Sequence, residues 1–137
     1  MKSAILAISI LLVTMTSYAG PVPTVSFRGD IAPLFAKECV QCHMKEGPAA
    51  GLVLENRFSY SMIVNVPSTQ SPLMRVVPGD PDNSYLLLKM QNRHLEVSGS
   101  GSKMPIFPGG YGAGVLTAKP DEIELIRTWI VAGALDN

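Results

Sequence analysis

Apolar side chains at Ile31, Leu34 and Phe35 fall at the spacing of one helical face, so the pattern predicts a helix over 30–39. Asp30 offers an N-cap there, and Pro33 lies in the first turn, where a missing N–H does no harm. Gly47-Pro48 and Gly51 break the chain, Leu52 and Leu54 turn back toward an interior, and 57–66 reads as a short helix. Further on, Asp80 caps and Pro81 opens a helix carried by Tyr85, Leu86, Leu88, Lys89 and Met90, which stops before Ser98-Gly99-Ser100-Gly101. The Gly/Pro-rich stretch 99–114 reads as loop. Thr117 is the expected cap of the last helix, with Pro120 in its first turn, Ile123, Ile126, Trp129 and Ile130 on one face, and Gly133 as its stop. No segment alternates like a strand, and the chain carries neither heptads nor an internal repeat.

The start of the chain has a different pattern. Lys2, the apolar run Ala4 to Val13 and the small-x-small triplet Ser17-Tyr18-Ala19 make residues 1–19 a secretory signal, with cleavage expected near Ala19. Ten apolar residues fall well short of the roughly 20 that span a bilayer. The expected mature chain, residues 20–137, is a single domain of modest length for building a core. Without Lys2 it holds ten basic and eleven acidic side chains, which speaks against nucleic acid or an anionic membrane surface as a partner.

The residues that carry chemistry are Cys39-Val40-Gln41-Cys42-His43. Cys-x-x-Cys-His is the attachment signal for c-type haem. Two thiols three apart on one helical turn each add to a haem vinyl group, and the adjacent imidazole lies under the iron as proximal ligand. These are the only two cysteines of the chain, so no disulfide or metal cluster elsewhere competes for them. A thioredoxin-like redox pair needs alternating strands and helices, which are missing, and a zinc site lacks ligands. His43 needs a backbone carbonyl on its other ring nitrogen to fix its orientation, and the Gly47-Pro48 turn is the nearest candidate.

A sixth iron ligand has to come from elsewhere. Met62, Met74 and Met90 sit in patterned segments where methionine is ordinarily core, and Met44 is too near His43 to reach the opposite face. Met104 lies in the Gly-rich loop with Pro105 stiffening the chain behind it, which favours it as the ligand. His94, or an open position, is the alternative. Arg75, Arg93 and Lys103 are candidates to pair with haem propionates. Gly109 to Gly114 lacks the strand, helix and lysine of a phosphate loop, and Glu122 and Glu124 lie on different helical faces.

Together these segments resemble class I cytochromes c, and most of all the single-haem bacterial group related to planctomycete-type cytochrome c domains. The resemblance runs through Asp30 to Phe35, Cys39 to His43, Gly51 to Leu54, Val77 to Leu86, Met104-Pro105 and Ile123 to Gly133. It implies an all-α cytochrome c fold, with three to five short helices and long loops wrapped around one covalent haem. The first and last helices are then expected to cross at the haem edge, where Phe35 and Trp129 meet, with Met104 as distal ligand. Ile31 stands where many relatives carry a glycine, so a wider crossing is expected, and no lysine-rich docking face matches the mitochondrial relatives.

The expected function is that of an electron carrier and not an enzyme. It carries one haem c, held by Cys39 and Cys42, with iron ligated by His43 and Met104. It works in the periplasm with redox protein partners, free or as a subunit of a larger oxidoreductase complex. A haem enzyme or gas sensor with an open sixth site is the competing expectation.

Overall fold

A computed structural model describes residues 24–106 and 118–137 of the chain. The expected signal, the Gly109 to Gly114 loop and Thr117 lie outside these residues. Four α-helices carry the fold: α1 (Ala32–Glu38), α2 (Asn56–Ile63), α3 (Tyr85–Met90) and α4 (Pro120–Val131). Three 3-10 turns, at Ala49–Gly51, Pro81–Asn83 and His94–Val97, and a π-helical turn at Phe27–Ile31 complete the described elements. Isolated bridges join Val64 to Val76, Pro67 to Met74 and Val77 to Asp80, but no sheet forms among the described residues. Among the described residues the regular structure is thus helical throughout, as the periodicity predicts.

The first helical segment starts earlier than the pattern suggests. Its cap is Ser26, whose Oγ accepts from the Gly29 N–H at 3.1 Å, and not Asp30. Asp30 serves the same cap from inside the turn, because its carboxylate accepts from the Ser26 N–H at 2.8 Å. The reciprocal pair satisfies two backbone donors that an open helix end leaves bare. Starting at residue 27 extends the apolar stripe by one turn, so Phe27, Ile31 and Phe35 recur every fourth residue and are all buried.

Lys119 occupies the cap position of α4, with Glu122 reaching back to its N–H at 3.0 Å, so Thr117 is not the cap. Ile126, Trp129 and Ile130 are buried at i, i+3 and i+4. Beyond α4, Gly133 takes a φ of +98°, a conformation that a Cβ disfavours, and lets the Ala134 N–H return to Trp129 O at 2.9 Å.

That reversal directs the C-terminal residues onto the first turn. Ser26 Oγ donates to Asn137 O at 2.8 Å, the Phe27 N–H to Asn137 Oδ1 at 2.9 Å, and Trp129 Nε1 to Leu135 O at 3.0 Å. Helix α4 packs on the π-helical turn and on α3. Phe27 occupies the centre of this junction, with ring centroids 6.3 Å from Phe35, 5.3 Å from Trp129 and 5.1 Å from Tyr60. The expected meeting of Phe35 with Trp129 is therefore made through Phe27.

The Asp80 segment forms two pieces. Asp80 caps the 3-10 turn through the Asn83 N–H at 3.2 Å, and buried Ser84 then interrupts it by donating to Asp80 O at 2.7 Å. Helix α3 begins at the next residue.

Phe27→Ala removes the ring joining α1, α2 and α4. It should cost about 3–5 kcal/mol in a denaturant titration, with the slope of the transition unchanged.

Candidate functional site

Helix α1 ends where the two cysteines begin. The Cys39 and Val40 N–H groups both donate to Phe35 O, at 2.9 and 3.0 Å, and the His43 N–H donates to Cys39 O and Val40 O, each at 3.1 Å. The motif therefore stays wound as turns, which keeps both thiols and the imidazole within a short span of backbone. Both cysteines are free thiols.

The chain then folds back over His43. Its carbonyl accepts from the Leu54 N–H at 2.7 Å, and its Nδ1 lies 3.1 Å from Leu52 O. A carbonyl can only accept, so Nδ1 carries the proton and Nε2 keeps the lone pair that ligates metal. The orienting carbonyl is that of Leu52, and not one from the Gly47-Pro48 turn. Burial holds the imidazole below the ordinary histidine range, which favours the same neutral form.

A cleft opens beside this histidine. Its cavity volume is about 210 Å³, and it opens to solvent at its mouth. Leu34 and Phe35 of α1, Leu52 and Leu54 after the motif, and Leu86 and Met90 of α3 give it apolar walls. Cys39, Cys42, His43 and Met104 all line it, so residues 61 positions apart share one cavity. The Met104 N–H donates to Lys89 O at 3.0 Å, which ties this loop to α3.

The other candidates separate clearly. Met74 is 42 % exposed and lies outside the cleft, whereas Met90 belongs to both the cleft wall and the buried core. His94 is buried away from the cleft, with Nε2 2.9 Å from Gly101 O. Of the three cations proposed for propionates, Arg75 lines the cleft and is buried. Arg93 pairs with Glu96 at the surface, and Lys103 lies outside the lining.

Arg75 donates Nη1 to Met62 O at 2.7 Å and forms no ion pair. Lys89, the second buried cation on the cleft, forms none either. Every Asp and Glu of the chain lies among the described residues, so no carboxylate elsewhere balances these charges. Burial lowers the pKa of both. At the Cys39 side the sign reverses, because Glu38 and Glu122 line the cleft there. Burial, followed by those two carboxylates, pushes the Cys39 thiol up to about 12.

Two thiols, an imidazole with a free Nε2 and a buried guanidinium without a carboxylate thus line one cleft with apolar walls. Sequence reasoning missed Leu52 as the histidine's partner, Met90 as a wall of the site and Lys89 as a buried cation. Only the last had a signal, as a lysine inside the apolar run Tyr85-Leu86-Leu87-Leu88-Lys89-Met90. No family model, curated protein or solved structure matches the chain.

A raised thiol pKa keeps Cys39 protonated at neutral pH, the reverse of a redox-active cysteine. In haem-free Cys42→Ser protein, alkylation of Cys39 at pH 8 should be slower than that of a peptide thiol by about two orders of magnitude, a roughly thousandfold or greater loss of thiolate being offset in part by the stronger nucleophilicity of a high-pKa sulfur. It should quicken as pH rises toward 12.

Proposed function

We propose that the protein is an exported class I c-type cytochrome that carries single electrons on one covalently held haem. The observation that carries this reading is the convergence of Cys39, Cys42, His43 and Met104 on one apolar cleft, with His43 Nδ1 committed to Leu52 O. The iron of a bound haem supplies the one-electron couple.

The rest is the work of this chain's residues. Cys39 and Cys42 would hold the group through thioether bonds, and both are reduced and unbridged, as such bonds require. His43 ligates through Nε2, its ring fixed by Leu52 O so that no rotation loosens the bond. Met104 offers a soft thioether, which favours Fe(II) and raises the reduction potential. Apolar walls act in the same direction by disfavouring the additional positive charge of the oxidised state. Arg75 is the group best placed to take a propionate.

With His43 and Met104 both ligating, the iron would have no vacancy for a substrate, which supports a carrier over an enzyme or sensor. Redox proteins of the periplasm are the natural partners, whether the chain diffuses freely or serves as one link in a larger oxidoreductase. Export rests on residues 1–19. No helix among the described residues is long and apolar enough to cross a membrane.

Absorption spectroscopy of the mature protein tests the ligand set. The oxidised form should show a methionine-to-iron charge-transfer band at the red end of the spectrum. Met104→Ala should abolish that band and open the reduced protein to carbon monoxide, whereas Met90→Ala should retain it. A band that survives Met104→Ala, or rapid carbon monoxide binding by the wild type, contradicts the assignment.

A further inference from the structure

Composition marks Ser98-Gly99-Ser100-Gly101-Ser102 as the most flexible stretch before Met104, yet its hydrogen bonds tell otherwise. The Ser100 N–H donates to Gln70 O at 3.0 Å, and Ser100 O accepts from Tyr85 Oη at 3.3 Å. His94 Nε2 lies 2.9 Å from Gly101 O and is its donor. The segment lies so close to its neighbours that a Cβ on Gly99 would collide with the His94 carbonyl oxygen and the Tyr85 hydroxyl. It is a strap bound down along α3.

Lys89 is at the centre of it. Its ammonium donates to Ser100 O at 2.6 Å and to Ser102 O at 2.8 Å, and lies 5.5 Å from the centroid of the Tyr85 ring. Its own carbonyl accepts the Met104 N–H at 3.0 Å. One residue therefore grips the strap at three alternate positions, 100, 102 and 104. A buried ammonium is costly unless its protons find acceptors. Those acceptors belong to the strap, so a displaced strap leaves the cation stranded, and the cation in turn resists displacement. Hydrogen bonds from an ionised donor are roughly twice as strong as neutral ones.

We infer that Lys89 is a positioning residue for the sixth iron ligand, its side chain clamping the Ser100–Met104 strap so that Met104 stays in the cleft that His43 also lines. This rests on the haem reading above. It assigns the buried lysine to an internal clamp, in place of a propionate contact or a docking charge.

The test compares four haem-loaded proteins: wild type, Lys89→Leu, Lys89→Arg and Gly99→Ala. Lys89→Leu removes the ammonium but leaves the backbone bond to Met104, and Gly99→Ala displaces the strap without deleting any donor. Both should weaken the methionine-to-iron band and quicken carbon monoxide binding roughly tenfold or more, the equivalent of losing one or two charged hydrogen bonds. Lys89→Arg, which keeps charged donors, should remain within a few fold of the wild type.

Amide exchange separates positioning from general loosening. The Ser100 and Met104 amides should exchange roughly tenfold faster in Lys89→Leu, with those of α4 unchanged. Haem-loaded Lys89→Leu with wild-type band, carbon monoxide rate and strap amides overturns the role of Lys89 alone. Loss of the band in Lys89→Arg as well as Lys89→Leu also overturns it, since charged donors at position 89 would then not be what holds the strap. Wild-type protein that carries no haem overturns the reading beneath.

Discussion

The bond between His43 Nδ1 and Leu52 O, 3.1 Å long, governs the arrangement of the site. An imidazole has one proton in its neutral form, and here that proton is committed to the backbone. The tautomer, the ring plane and the free Nε2 all follow from that single contact. It depends in turn on the return of the chain after the motif, held by the Leu54 N–H on His43 O and the Ala49 N–H on Cys42 O, at 2.7 and 3.0 Å. Ala50, at a φ of +52°, and Gly51, at +65°, turn the backbone sharply enough to bring Leu52 O within reach of His43 Nδ1.

Around this fixed point the fold divides its labour. Phe27, Phe35, Tyr60 and Trp129 build an aromatic junction that unites the π-helical turn, α1, α2 and α4, so the platform bearing the cysteines is anchored to both later helices. On α3, Lys89 and Met90 face the cleft while Lys89 also holds the strap before Met104. The cleft is uneven in charge, with unpaired Arg75 and Lys89 among its lining and Glu38 and Glu122 near Cys39. On the proposed reading, that asymmetry orients a group with apolar faces and an acidic edge. The acidic edge belongs toward Arg75.

Much of the local structure was legible because short-range periodicity and capping chemistry determine it. Ile126, Trp129 and Ile130 announce a buried helical face, and Asp80-Pro81 announces a turn start, whatever lies around them. The first helix began early because Ser26 and Asp30 form a reciprocal cap, and two adequate capping residues four apart leave its start ambiguous. Phe27 then escaped notice as the centre of the core.

The site was legible only at its ends. Cys39 to His43 is a local signal, and Met104-Pro105 a weaker one. What joins them is contact between distant segments, such as Leu52 O on His43 and Lys89 on Ser100 and Ser102, where a main-chain acceptor has no residue signature. The Gly/Ser strap inverts its compositional reading for the same reason, since small residues that free a chain in water also let it lie flat against Tyr85 and His94.

Mass spectrometry of a tryptic digest of the exported, denatured protein tests the central claim most directly. Cleavage after Lys37 and Lys45 isolates Glu38 to Lys45, which contains both cysteines and His43. The account predicts this peptide at its own mass plus one haem, with the visible absorbance travelling with it. The same peptide at its unmodified mass, or two hydrogens lighter with Cys39 bridged to Cys42, would contradict the account.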